Sequence, residues 1–387
     1  MNPQEKAKFA SFFKKSTDKT NSSWNSKKIL QKITNARKLQ RNIVSNSETQ
    51  KPTSEGQRRF RAVVHVTKAA VYRAPNLLAI NLDTPRVKPE IKTTVTTTKL
   101  KTNILQGVID KKLEFDADIP SVNAICCDEK NSVWVGCWNR SPVRSLTCHD
   151  KIEPKEQYDT PVSDMTVMPS GDILFTKFGD CAIKKLSRKD GTISTFRGCM
   201  PLYPEGIHIT RSGNILVTVV DASNFLVTKT TTRKVVKMND AGKVIKEIEY
   251  GSRGLKFFIL PYRVTENVNG DICVVNRTGV YLGQIVVLDK EGNLKFTYDG
   301  NPSQHCNDFI PMSIACDNNG CIIVADPSDY AIHILDKTGI LLQYLNSNKI
   351  GISPPLSVCV DQKGFLWVGC MTEEGKQSYT TKVYALC

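Results

Sequence analysis

None of the first 125 of the 387 residues is a cysteine, although 13 follow. Structural zinc modules need clustered Cys and His ligands, and His65 is the single histidine in that stretch, so it can hold no such module. The later cysteines include no CxxC pair; Cys273, Cys316, Cys359 and Cys370 stand singly within strand-like runs. An odd thiol count without a leader reads as reduced, buried cysteine in a cytoplasmic protein. No apolar run approaches the roughly 18 residues that a membrane span requires, and Met1 to Thr20 lacks a secretory apolar core. None of the four tryptophans precedes an aspartate, and no Gly-Gly pair occurs, which removes the WD40 and kelch signatures.

Acidic residues are scarce only at the beginning. Residues 1–110 carry 22 Lys plus Arg against 7 Asp plus Glu, a surplus of 15; the remainder holds 53 − 22 = 31 against 38 − 7 = 31 and is neutral. The whole excess of positive charge therefore lies in this arm. It is rich in Lys, Ser, Thr and Asn and buries too little apolar surface to offset its ordering entropy, so it is expected to be mostly disordered. Short helices are expected over 4–15, where Phe9, Phe12 and Phe13 lie among Lys6, Lys8, Lys14 and Lys15, and over 24–44, where Ile29, Ile33, Ala36, Gln40 and Ile43 follow a heptad spacing.

After the arm, one unit recurs. Prolines at 120, 161, 204, 261, 311 and 355 are spaced by 41, 43, 57, 50 and 44 residues, and each precedes an alternating strand, a turn and a second apolar strand. The turns include Gly171-Asp172, Gly213-Asn214, Gly270-Asp271, Gly320-Cys321 and Gly364-Phe365. A second turn, at Asp190-Gly191, Ala241-Gly242, Glu291-Gly292 and Thr338-Gly339, separates a third strand from an outer fourth. Units of this length with short strands and turn glycines imply an all-β, six-bladed propeller of four-stranded antiparallel blades over 111–387. The final unit stops one strand short at Cys387, and Leu113 to Asp118 matches the outer-strand pattern, so this strand is expected to pair with the C-terminal blade and close the ring. The longest unit carries an insertion near 221–233, expected as an extended hairpin.

The run from Val324 to Gly339, with Ala325-Asp326, Ile332 to Leu335, Asp336 and Gly339, resembles the NHL repeat. Gly270 to Val275 followed by Val286 to Phe296 looks like the same unit, although Asp329-Tyr330 replaces the usual Asn-His pair. With Leu82 to Val87 upstream, residues 82–387 resemble the C-terminal propeller of invertebrate, mollusc-type tripartite-motif proteins. That resemblance implies substrate recognition or scaffolding for ubiquitin-dependent degradation, or RNA binding. The missing arm cysteines mean no RING and no B-box in this arm, so intrinsic ligase activity is not expected of this chain.

Three function classes follow. As a protein-interaction module, the propeller would present a channel mouth lined by Ser163, Asp164, Glu205, Arg263, Ser313 and Ser357. As an RNA-binding protein, it would use the arm's Lys14, Lys15, Lys27, Lys28, Arg37, Lys38, Arg58, Arg59 and Arg61, or a propeller patch around Arg253, Lys256 and Arg263. As a propeller hydrolase it would need a calcium shell, for which the blade starts supply only Asp164, Glu205 and Asn123; His208 lacks an evident Ser or Asp partner. The expectation is a monomeric or weakly dimeric binding protein with no catalytic residue, metal or cofactor.

Overall fold

The computed structural model describes residues 111–386 apart from 118, 120, 129–131, 139–141, 149–151, 222–229, 252–253, 280–281, 302–308 and 372–381. The arm helices, the nine cationic arm residues, Arg253 and the tip of the 221–233 insertion lie outside the described residues.

Five blades are each built from four consecutive strands. Blade 1 comprises β2 (Ala124–Cys127), β3 (Ser132–Gly136), β4 (Val143–Cys148) and β5 (Ile152–Tyr158). Blade 2 holds β6 (Asp164–Val167), β7 (Ile173–Thr176), β8 (Ala182–Leu186) and β9 (Ile193–Gly198). Blade 3 holds β10 (Leu202–Ile209), β11 (Ile215–Asp221), β12 (Arg233–Met238) and β13 (Val244–Ile248). In blade 4 the strands are β14 (Leu260–Glu266), β15 (Ile272–Arg277), β16 (Gly283–Leu288) and β17 (Leu294–Tyr298). Blade 5 follows with β18 (Ser313–Cys316), β19 (Ile322–Asp326), β20 (Ala331–Leu335) and β21 (Leu341–Asn346), then a one-turn helix α1 (Ser347–Ile350). A further four-stranded sheet is composite: β22 (Pro355–Val360), β23 (Leu366–Cys370) and β24 (Lys382–Leu386) are completed by β1 (Lys111–Asp116). All pairings are antiparallel, and β1 meets β24 with Leu113 opposite Ala385 and Phe115 opposite Val383.

Innermost strands β2, β6, β10, β14, β18 and β22 touch in ring order, with β22 returning to β2. An apolar cluster fills each space between neighbouring sheets, such as Trp134, Val162 and Phe175 between blades 1 and 2, or Val133, Val135 and Trp367 between the closing sheet and blade 1. The second strand of every sheet is covered on both faces, so β3, β15, β19 and β23 are buried throughout. Their near-continuous Val and Ile runs follow from that double burial, each such side chain contributing about 1.5–3 kcal/mol. Outer strands face water instead: β9 is mostly exposed along its length.

The antiparallel order gives the disc two ends. Links between strands 1 and 2, and between 3 and 4, turn at one end; links between strands 2 and 3, and from one blade to the next, gather at the other. We call these the turn end and the loop end.

Candidate functional site

The inner strands bring the predicted ring residues to the axis. Asp164 is the first residue of β6, and its Oδ2 accepts a hydrogen bond from the Ile207 amide of blade 3 at 2.9 Å. Ser313 Oγ accepts from the Val358 amide of the closing sheet at 3.1 Å, and Ser357 Oγ donates to the Val122 carbonyl at 2.6 Å. Each of these three side chains joins adjacent sheets. The amide of Ser163 donates to the Thr176 carbonyl at 2.8 Å.

Arg263 crosses the axis. From β14 its Nη2 donates to the Ser163 carbonyl of blade 2 at 2.7 Å and to the Asn123 carbonyl beside blade 1 at 3.4 Å. Nε lies 3.7 Å from Asp164 Oδ1, and the guanidinium stands over the Tyr262 ring at 4.1 Å. Burial raises the Asp164 carboxyl, against the lowering effect of Arg263 and of the Ile207 amide. Arg263 therefore links blade 4 to blade 2 and to the segment that enters blade 1.

On the turn side lies a cavity of about 470 Å3, walled from Asp164 and Arg263 to the turn glycines Gly171 and Gly213. His208 is in its wall; burial, with help from Arg211, pulls its imidazole down to about 4, so the ring is neutral at physiological pH. Arg211 reaches from the blade 3 turn to Asn318 Oδ1 in the blade 5 turn at 3.0 Å.

On the loop side sits Glu205. Thr176 Oγ1 donates to its backbone carbonyl at 2.6 Å, while its carboxyl makes no hydrogen bond among the described residues. Burial, with Asp164 adding, lifts that carboxyl to about 7 against the opposing pull of Arg263, Arg233 and Arg277. Arg233 is held by the carbonyls of Asp221, Thr232 and Ile259. The sequence reading missed Arg233 and Arg277; for Arg277 the signal was a charged residue closing the mostly apolar run Ile272–Arg277, and for Arg233 the Lys-bearing strand gave none. Lys256, read as part of a cationic patch, is paired with Glu249 at 2.9 Å and bonded to the Thr231 carbonyl.

Asp164, Glu205 and Asn123, the set weighed for calcium, share the inner ring. Asn123 Oδ1 accepts from Ser121 Oγ at 2.6 Å, and no group of three or more His, Cys, Asp or Glu is placed to hold a metal ion among the described residues. No helix among them is long and apolar enough to cross a membrane.

The loop end carries a second feature that sequence periodicity did not reveal. Among the described residues thirteen large apolar side chains are exposed, and eight of them stand in loop-end links: Trp138, Phe178, Met200, Tyr250, Leu255, Leu282, Tyr330 and Met371. The other five, Ile193, Ile245, Leu294, Ile340 and Leu342, lie in or beside outer strands. Met200 is 83% exposed and Leu255 58%. Trp138 and Phe178, from neighbouring blades, meet edge to face with centroids 6.2 Å apart. Their flanking residues, as in Phe178-Gly179, Met200-Pro201 and Gly254-Leu255, mark links rather than strands, which was the one signal in the sequence.

No protein-family model matches the chain, and no curated protein matches it. Solved structures do. A luciferin-regenerating enzyme aligns over 72% of this chain and 94% of its own, with a TM-score of 0.51 and 13% identity. A putative gluconolactonase covers 72% and 91% at 0.50 and 11%. Regucalcin, a calcium-binding protein of Agrobacterium tumefaciens, covers 70% and 92% at 0.50 and 12%. Identities this low establish the fold class alone: the chain is a β-propeller. The likeness to tripartite-motif proteins rests on the motif residues, and no ubiquitin connection emerges from these comparisons.

Proposed function

We propose that this propeller is a protein-interaction module whose loop end receives an apolar segment of a protein partner. The carrying observation is the gathering of eight exposed large apolar side chains at that end. Exposed apolar groups clustered on one face of a soluble fold mark an interaction surface, and aromatic and methionine side chains are the types enriched at such contacts. Lys256, the charged group beside Tyr250, is already paired with Glu249, which favours an apolar occupant over a polyanion. Of the ring residues, Glu205 is the one we assign to the partner, since its carboxyl makes no hydrogen bond within the ring among the described residues. Resemblance to the tripartite-motif propellers supports substrate recognition or scaffolding as the role. In that setting a partner supplies any ubiquitin ligase activity, because the arm lacks the cysteines of a RING.

Cross-linking mass spectrometry on complexes of the full chain tests this reading. Cross-links from captured proteins should concentrate on residues of the loop-end links, and Met200→Ser with Leu255→Ser should remove them. Cross-links confined to the turn end, capture unchanged by the double substitution, or RNA as the retained species would each overturn it.

A further inference from the structure

The seam between blade 1 and the closing sheet holds two thiols in contact. Cys127, the last residue of β2, and Cys359, in β22, are separated by 232 residues in sequence, yet their sulfurs lie 2.7 Å apart. Both cysteines are free thiols, both are half-buried, and both line the 470 Å3 cavity. A small molecule entering the cavity from the turn end therefore reaches them without unfolding. Elsewhere the seam is held by non-covalent links, among them the Ser357–Val122 bond and the Val122 amide to the Cys370 carbonyl at 3.1 Å.

We propose that Cys127 and Cys359 form a peroxide-sensitive modification site, whose oxidation to a disulfide locks the first inner strand of the propeller to the last. The chemistry balances with one hydroperoxide. One sulfur attacks a peroxide oxygen, the O–O bond breaks, and a sulfenic acid forms as the thiol proton leaves in water. The second thiol then attacks that sulfur, the S–S bond forms, the S–O bond breaks, and a second water departs. The contact leaves no room for another group between the sulfurs, so the sulfenic acid meets its resolving thiol before bulk reductants. Burial pushes both thiols up, and Asp361 adds to this from the turn that follows β22. The reaction is consequently slow at neutral pH and favours a small oxidant over a bulky one. Its consequence is a cross-link closing a 232-residue loop, which removes conformational freedom from the unfolded chain.

The test uses the full chain. It is treated with hydrogen peroxide under native conditions, remaining thiols are alkylated, and a non-reducing digest is mapped by mass spectrometry. The expected result is a linked peptide containing Cys127 and Cys359, two hydrogens lighter than its parts, reversed by dithiothreitol and accompanied by a rise of several degrees in the unfolding midpoint. Cys359→Ser should abolish both the link and the rise, with its unoxidised midpoint reporting whether it folds. The wild-type map decides the matter even if that variant does not fold: other cysteines oxidised while 127 and 359 stay alkylated, or a link that appears only after denaturation, overturns the proposal.

Discussion

The two ends of the disc are built from the same strands and obey different rules. At the turn end the links of blades 2 to 5 and of the closing sheet are short and internally bonded. Asp317 Oδ1 accepts from the amides of Asn319 and Cys321, Asn267 Oδ1 from Asn269 and Asp271, and Asp361 Oδ1 from Lys363 and Phe365. A glycine with positive φ completes each of them, as at Gly320 with +89°. The links at the loop end differ from blade to blade, and apolar side chains stand in water there. A side chain that closes a turn is taken by the fold; one left exposed at the end of a rigid disc is free for recognition. The Arg263 crossbar separates the two regimes.

Removing that crossbar should produce the largest effect. Arg263→Met leaves the Ser163 and Asn123 carbonyls without their donor and Asp164 without its neighbouring cation. Loss of one member of a buried charged network costs about 3–5 kcal/mol. Denaturant unfolding should show it as a lower midpoint with an unchanged slope. A loss below about 1 kcal/mol would mean that the channel is not held by this residue.

The turn end supplies a matched pair of substitutions. A Cβ on Gly339 would run into the Phe296 ring as well as occupy φ of +90°, whereas Gly213, at +79°, has open space beyond it. Gly339→Ala should cost about 2–4 kcal/mol and Gly213→Ala about 1–2 kcal/mol. Equal losses would show that backbone conformation alone governs these turns.

Glu205 distinguishes the loop side of the crossbar by pH. Its folded carboxyl lies near 7 against an ordinary 4.5, so the folded state binds the proton more tightly. The stability it lends is complete below about pH 4.5 and disappears as pH rises through 7. Glu205→Gln should therefore stabilise the protein at pH 8 relative to wild type, on the order of 2 kcal/mol, and leave it nearly unchanged at pH 4.5. His208 works in the opposite direction: with its folded value near 4, its contribution is complete above about 6.5 and is lost as pH falls toward 4. A flat difference between the Glu205→Gln and wild-type pH profiles would contradict the placement of this carboxyl.

The regular end of the disc was the legible one. Positive φ restricts a turn to glycine or a few polar residues, and so Gly171, Gly213, Gly270, Gly320 and Gly364 recur with the strands they join and reveal four-stranded antiparallel blades. Position just after the blade-starting prolines likewise singled out Asp164, Glu205, Arg263, Ser313 and Ser357, which lie on inner strands, and Ser163, which directly precedes β6. It could not show that Asp164 is tied to Ile207 or that Arg263 spans the axis, since those partners belong to other blades and depend on the curvature of the ring. Contact between Cys127 and Cys359 was hidden for the same reason, because only closure brings residues so distant in sequence together. Trp138, Met200 and Leu255 follow no period, and an irregular link leaves no pattern to read.

The smallest expected change in stability belongs to those irregular residues, and it gives the comparison its sharpest form. Met200→Ser and Leu255→Ser remove side chains already in water, so each should alter stability by no more than about 0.5 kcal/mol. Trp138→Ser also forfeits the edge-to-face contact with Phe178, worth about 0.5–1.5 kcal/mol. In partner binding the order reverses: a buried aromatic anchor typically carries 2 kcal/mol or more, roughly a 30-fold loss of affinity on truncation. Calorimetric unfolding and titration of the captured partner on the same variants separate the two quantities. If loop-end substitutions lower the unfolding midpoint as much as Gly339→Ala does, these side chains serve the fold rather than a partner, and the two ends of the disc do not differ in kind.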